Sequence, residues 1–245
     1  MVQRKNSIPN RHTQGPAPRP AVATSVPLPA PRVLLTGFDA FGGETVNPSW
    51  LAARDLHGRQ IAGHRIVAAQ LPTLFGESLT ALHALLARNQ PVLTICVGQA
   101  GGRGAMSLER VAINVDDARI ADNQGVQPID TRVAPEGPAA YFTSLPIKAM
   151  LLALQAEGIA AEVSQTAGTF VCNHVFYGLM HALAAANRLK PTLKQSRGGF
   201  IHVPWLPGQG APSMALDDVV RGLRIAVRVA LGTHTDLALG AGTIM

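Results

Sequence analysis

The sequence predicts one α/β domain built on a largely parallel sheet with helices on both faces. Three observations carry this. From Arg32 onward, short apolar segments alternate with amphipathic ones, the order expected when each strand returns through a crossover helix. Strand segments such as 92–97 are predominantly apolar and uncharged, as strands covered on both faces are. The chain has 245 residues and is 47% hydrophobic, enough for a single core of ordinary size.

The elements follow in order. Val33–Thr36 is a short apolar strand closed by Gly37. Asn47-Pro48 opens a helix through about Leu56, with asparagine as cap and proline in the first turn. Arg65–Gln70 reads as a strand. Thr73 to Asn89 reads as a helix with Leu79, Leu82, Leu85 and Leu86 on one face. Val92–Val97 is a buried strand, and Glu109 to Ile120 is strand-like but rich in polar groups. Pro146 opens a helix that Gly158 ends. Ala161–Gln165 is a strand, Thr166 to Phe170 a turn, and Val171 to about Ala186 a helix. Gly199–Val203 is a strand, and Asp217 to Leu231 is the last helix, with Asp217 and Asp218 at its positive end. No repeat and no second domain are visible.

Residues 1–31 are different. They hold seven of the 18 prolines and no hydrophobic periodicity, a composition that cannot offset its ordering entropy, so a disordered tail is expected before one domain at 32–245. Prolines 27, 29 and 31 interrupt its apolar runs, against a signal peptide. The tail also explains the overall basicity. It carries four basic and no acidic residues, and the body keeps 17 basic against 15 acidic. A body so nearly balanced, with only 4% aromatics, offers neither the basic stripe nor the stacking platform of a nucleic-acid binder. No apolar run reaches the ~20 residues of a membrane-spanning helix, so a soluble chain without a membrane partner is expected. Cys96 and Cys172 are the only cysteines, too few for a disulfide framework, and they point to a reducing compartment.

Ligands in open α/β sheets bind beyond the carboxyl ends of the strands. Cys172 follows a strand and a glycine-containing turn, at a helix N-terminus, where free amides and the dipole stabilise a thiolate. It can equally be a small buried apolar residue, as most free cysteines are. Cys96 lies mid-strand and reads as inert core. Among eight histidines, His174 is two positions from Cys172, about 200° around a helix, and points away from it. His202 ends a strand, where it suits a cysteine–histidine arrangement or an ordinary half-buried role. No HExxH or paired-cysteine spacing supports a metal, and neither Gly37–Gly43 nor Gly98–Gly102 is followed by the Gly-Lys-Ser/Thr of a phosphate loop.

Six segments together carry a family pattern. They are Leu-Leu-Thr-Gly-Phe-Asp-Ala-Phe-Gly-Gly-Glu-Thr-Val-Asn-Pro-Ser-Trp (34–50), Cys-Val-Gly-Gln-Ala-Gly-Gly-Arg (96–103), Glu-Arg-Val-Ala-Ile-Asn (109–114), Asp-Ala-Arg-Ile (117–120), Ser-Gln-Thr-Ala-Gly-Thr-Phe-Val-Cys-Asn-His (164–174) and Gly-Gly-Phe-Ile-His-Val-Pro (198–204). In this order they closely resemble the pyroglutamyl peptidase I (pyrrolidone-carboxylate peptidase) family of cysteine peptidases.

The resemblance implies a three-layer α/β/α sandwich with a mostly parallel mixed sheet. It implies a catalytic triad of Cys172, His202 and Glu109, with Arg119 beside the reacting carbonyl and Phe38, Phe41 and Gln99 around the pyroglutamyl ring. By the same resemblance the partners are peptides with an N-terminal pyroglutamate, no cofactor is needed, and the protein is a cytoplasmic homotetramer. Glu109 comes from the resemblance alone, since nothing else selects it among 15 acids. Three features depart from the family: Ala121 replaces a frequent proline, Trp205 a frequent tyrosine, and residues 187–197 are longer than usual. A phosphorylase-like transferase and an inactive pyroglutamyl-binding protein are the alternatives on the same fold. The physiological peptides and any part played by Asp122 are not legible.

Overall fold

The computed structural model describes residues 1, 2, 30–189 and 195–242. Residues 3–29 of the expected tail and 190–194 of the long 187–197 stretch lie outside them. The elements run β1 (Arg32–Phe38), α1 (Pro48–Asp55), β2 (Gln60–Ile61), β3 (His64–Leu71), α2 (Glu77–Asn89), β4 (Leu93–Gln99), β5 (Met106–Glu109), β6 (Val111–Ile113), β7 (Ala140–Phe142), α3 (Ile147–Ala156), β8 (Ala161–Ser164), α4 (Val171–Leu189), β9 (Arg197–Val203) and α5 (Leu216–Gly232).

Seven strands form one mixed sheet in the order β2-β3-β1-β4-β9-β5-β8. The pairs β1/β3, β1/β4, β4/β9 and β5/β8 are parallel, whereas β5 runs antiparallel to β9 and β2 to β3. Every residue of β4 is buried, which is why its sequence carries no charge and is mostly apolar. Helices α1, α3 and α5 cover one face over a core that includes Leu35, Ile95, Ile201 and Leu223. Helices α2 and α4 cover the other, over Leu34, Cys96, Phe176 and Phe200. The result is the three-layer sandwich expected, and each leucine-sized side chain taken into it contributes ~1.5–3 kcal/mol. Among the described residues, no helix is long and apolar enough to cross a membrane.

Local chemistry sets the ends of these elements. Asn47 Oδ1 accepts the Ser49 N–H at 3.1 Å and Pro48 occupies the first turn, so α1 begins where the sequence says it should. Asp217 and Asp218 occupy the first turn of α5. Two readings need correction. Helix α2 starts at Glu77, not Thr73, because side chains from elsewhere capture the preceding amides. Asp39 takes the N–H of Thr73, Asp122 that of Phe75, and His174 that of Gly76. The segment read as one strand from Glu109 to Ile120 breaks at Arg110. Its first part ends β5, and Val111–Ile113 turns away to pair with β7 in a separate two-stranded sheet. Strands β2 and β7, of two and three residues, are too short to show a period.

Candidate active site

Residues alternate sides along a strand. Cys96 and Phe200 belong to the core under α4, so position 98 and His202, two residues further along their strands, face α4 as well. The parallel register pairs Gly98 with His202. Helix α4 begins at Val171 after a turn in which Gly168 has φ +76°, and this sets Cys172 at its second residue. Its Sγ descends onto Gly98, so closely that a Cβ there would lie 2.8 Å from the sulfur. Thiol and imidazole therefore lie on the same face, over neighbouring strands.

The third group arrives from the antiparallel strand. Ser107 pairs with His202 and Leu108 with Ile201, which makes Glu109 the diagonal neighbour of His202 on the same face. His202 Nδ1 donates to Glu109 Oε1 at 2.7 Å, and both side chains are buried. With Nδ1–H so engaged, Nε2 is the nitrogen left to accept a proton. Arg103 Nη1 donates to the same Oε1 at 2.7 Å and also reaches Ser164 Oγ, while its Nη2 donates to the Thr166 carbonyl at 3.2 Å. One guanidinium thus ties the buried carboxylate to the turn that presents the thiol.

Beside the thiol lies a small hollow lined by Phe38, Phe41, Phe170 and Val171, with Asn47, Thr73 and Gln99 as its polar members and Cys172 at its end. No charged side chain among the described residues lines it. Gln99 is 9% exposed, and its Oε1 has no partner among the described residues. Such an acceptor costs ~1–3 kcal/mol until a donor reaches it. The N–H groups of Val171, Cys172 and Asn173 likewise meet no acceptor among the described residues, as at any helix start.

The thiol's electrostatics differ from expectation. Burial, with the negative charge of Glu109 adding to it, pushes Cys172 up to about 12, against the pull of Arg103. The sulfur lies against Gly98 and among apolar neighbours that include Phe200, and this burial is the largest cause. Cys96 is also pushed up to about 12 by burial, as expected of inert core.

A model of the pyroglutamyl peptidase family matches residues 31–233. The chain belongs to the pyroglutamyl peptidase family. Pyrrolidone-carboxylate peptidase 1 of Ralstonia nicotianae is 58% identical over 219 residues, covering 87% of this chain and 99% of that protein. The pyrrolidone-carboxylate peptidase of Cupriavidus taiwanensis is 56% identical over the same shares. The crystal structure of pyroglutamyl peptidase I from Bacillus amyloliquefaciens superposes with a TM-score of 0.81 at 49% identity, over 86% of this chain and 100% of that one.

In this chain, six of the seven expected site residues come together: Cys172, His202 and Glu109 around one face, and Phe38, Phe41 and Gln99 around the adjoining hollow. Arg119 does not join them directly. It is exposed, in a groove with Asp117, Ile120, Thr169 and Phe170 that shares Phe170 with the hollow. Arg103, Thr73, Phe170 and Val171 went unassigned in the sequence. Arg103 and Phe170 lie within family-like segments, one following β4 and the other preceding the thiol, and position after a strand is the signal that singles them out. Asn47 was legible only as a helix cap, the role it also fills here.

Proposed function

We propose that this chain hydrolyses the bond after an N-terminal pyroglutamyl residue, as a cysteine exopeptidase with Cys172 as nucleophile. The observation that carries the reading is the His202–Glu109 hydrogen bond next to a thiol that opens onto an uncharged hollow. A pyroglutamyl end has no ammonium group, so a neutral cavity with apolar walls and an orphan acceptor suits it. Phe38, Phe41 and Phe170 supply walls for the flat lactam, and Gln99 Oε1 accepts its N–H.

Because the thiol is held protonated, it needs a base at the moment of attack. His202 Nε2 takes the Sγ proton as the S–C bond to the pyroglutamyl carbonyl forms. Glu109, held by Arg103, keeps the imidazole in its Nδ1–H form and stabilises the imidazolium. The amides at the start of α4 receive the oxyanion. His202 then returns its proton to the leaving amine as the C–N bond breaks. Water attacks the thioester, gives a proton back through His202 and releases pyroglutamate and the thiol.

A phosphorolytic transferase needs a cation for its phosphate, and the hollow is lined by none. An inactive binding protein has no use for the His202–Glu109–Arg103 chain. The single peptidase domain at 32–245 is supported by the family match over residues 31–233. Cysteines 96 and 172 are both free, which suits a reducing cytoplasm. The homotetramer is inferred from the family resemblance. The test is fluorophore release from a pyroglutamyl amide: wild-type protein turns over, Cys172→Ser does not, and Cys96→Ser keeps most of the activity. Full activity in Cys172→Ser would refute the mechanism.

A further inference from the structure

A second buried acid–histidine pair lies behind the hollow. His174, on the side of α4 turned away from the thiol, donates from Nδ1 to Asp116 Oδ2 at 2.7 Å, and both side chains are almost fully buried. Its Nε2 accepts the Gly76 N–H at 3.1 Å. A nitrogen that accepts a backbone N–H carries no proton, so the imidazole is the Nδ1–H form. The order of groups repeats that of Glu109 and His202. The difference is that here the accepting nitrogen is spent on the backbone N–H of Gly76.

What the pair holds is a wall. Gly76 has φ +75°, and the residue before it, Phe75, is fixed at its amide by Asp122 Oδ2. The Phe75 ring meets His174 edge-on at 5.4 Å and Phe170 edge-on at 5.4 Å. Phe170 in turn faces Phe41 across the hollow at 6.0 Å. The open volume between these rings is about 10 Å³, room for about one water. A lactam therefore enters only if a ring yields. Phe41 precedes Gly42 and Gly43, both at positive φ with nothing packed where a side chain would be. Phe170 is backed by Phe75, and Phe75 in turn by His174.

We propose that Asp116 and His174 are a positioning pair for the pyroglutamyl pocket, holding Phe75 behind Phe170 so that Phe41 is the ring that moves. This rests on the pyroglutamyl peptidase reading above. The pair touches neither the reacting atoms nor Cys172, so its loss acts on how the substrate is held and not on the nucleophile.

The experiment compares His174→Phe, His174→Gln and Phe75→Leu with wild type on pyroglutamyl and prolyl amides, alongside the rate at which iodoacetamide alkylates Cys172. His174→Phe fills the space without accepting from Gly76, and His174→Gln retains an acceptor. Expected are a KM for the pyroglutamyl amide raised about tenfold in His174→Phe and Phe75→Leu with kcat within about threefold, the signature of lost binding shared by ground and transition states. The preference over the prolyl amide narrows, alkylation stays near wild type, and His174→Gln lies closer to wild type than His174→Phe. Unchanged KM in both His174→Phe and Phe75→Leu, or kcat and alkylation falling together, overturns the proposal. Absence of turnover by the wild-type protein would instead overturn the functional reading, and this inference with it.

Discussion

Gly98 makes room for the Cys172 sulfur: a Cβ at position 98 would stand 2.8 Å from Sγ and equally close to the Phe200 ring. The glycine is needed for space, since its φ is not in the left-handed region. Gly98→Ala is therefore predicted to displace the thiol from His202. A misplacement near 1 Å costs about 100-fold in rate, and overpacking costs ~1–3 kcal/mol of stability. Steady-state rates and a melting curve check this. A folded variant with undiminished kcat/KM would show that the sulfur does not need this seat.

Arg103 is predicted to act through Glu109. The carboxylate is fully buried, its Oε1 accepts from both Arg103 and His202, and its Oε2 has no partner among the described residues. Arg103→Met leaves that charge with one partner. Because Arg103 is itself partly exposed, the expected loss is about 1–3 kcal/mol, below that of a fully buried pair. The variant should lose kcat with little change in KM, and Arg103→Lys should recover part of it. Kinetics and thermal unfolding of both variants decide.

The buried thiols make stability fall on the alkaline side. Cys96 and Cys172 are pushed up from 9.0 to about 12. Between those values the unfolded chain has lost its thiol protons while the native chain retains them, so unfolding releases protons and rising pH favours it. The stabilisation is complete below about pH 9 and is lost as pH climbs toward 12. Cys96→Val should flatten this decline relative to wild type, measured as the drop in Tm between about pH 8 and about pH 10.5. An equal drop in both proteins would contradict the burial of the Cys96 thiol as its cause.

Selectivity should follow from the absence of charge in the hollow's lining. N-terminal glutamine would bring an ammonium, and glutamate a carboxylate too, to a site without a partner for either. Rejection of such unmet polar groups reaches ~10⁴-fold. Values of kcat/KM for pyroglutamyl, glutaminyl and prolyl amides are the check, and Phe41→Ala should lower the first and narrow its margin over the third. Comparable wild-type values for all three would refute the neutral-pocket account.

Cys172 and His202 stand out as candidates in the sequence because their signals are local: a turn ahead of an apolar helix, and the last residues of an apolar strand. Glu109 and Arg103 do not, because their roles depend on β5 running antiparallel to β9 and on contacts 93 and 61 residues apart in sequence. Only the family resemblance pointed to Glu109. The start of α2 was misplaced for the same reason, since Asp39, Asp122 and His174 reach its leading amides from distant segments. A thiol at a helix N-terminus suggested a depressed pKa. Burial against Gly98 and Phe200, invisible in the sequence, reverses that direction.

The central claim is that Cys172 carries the pyroglutamyl group between the two half-reactions. Its most direct test is rapid acid quenching of the enzyme with an activated pyroglutamyl ester, followed by intact-mass and peptide analysis. The account predicts one pyroglutamyl adduct per chain, located on Cys172 and absent from Cys172→Ser. Turnover with no adduct at any quench time, or with the adduct on another residue, would contradict it.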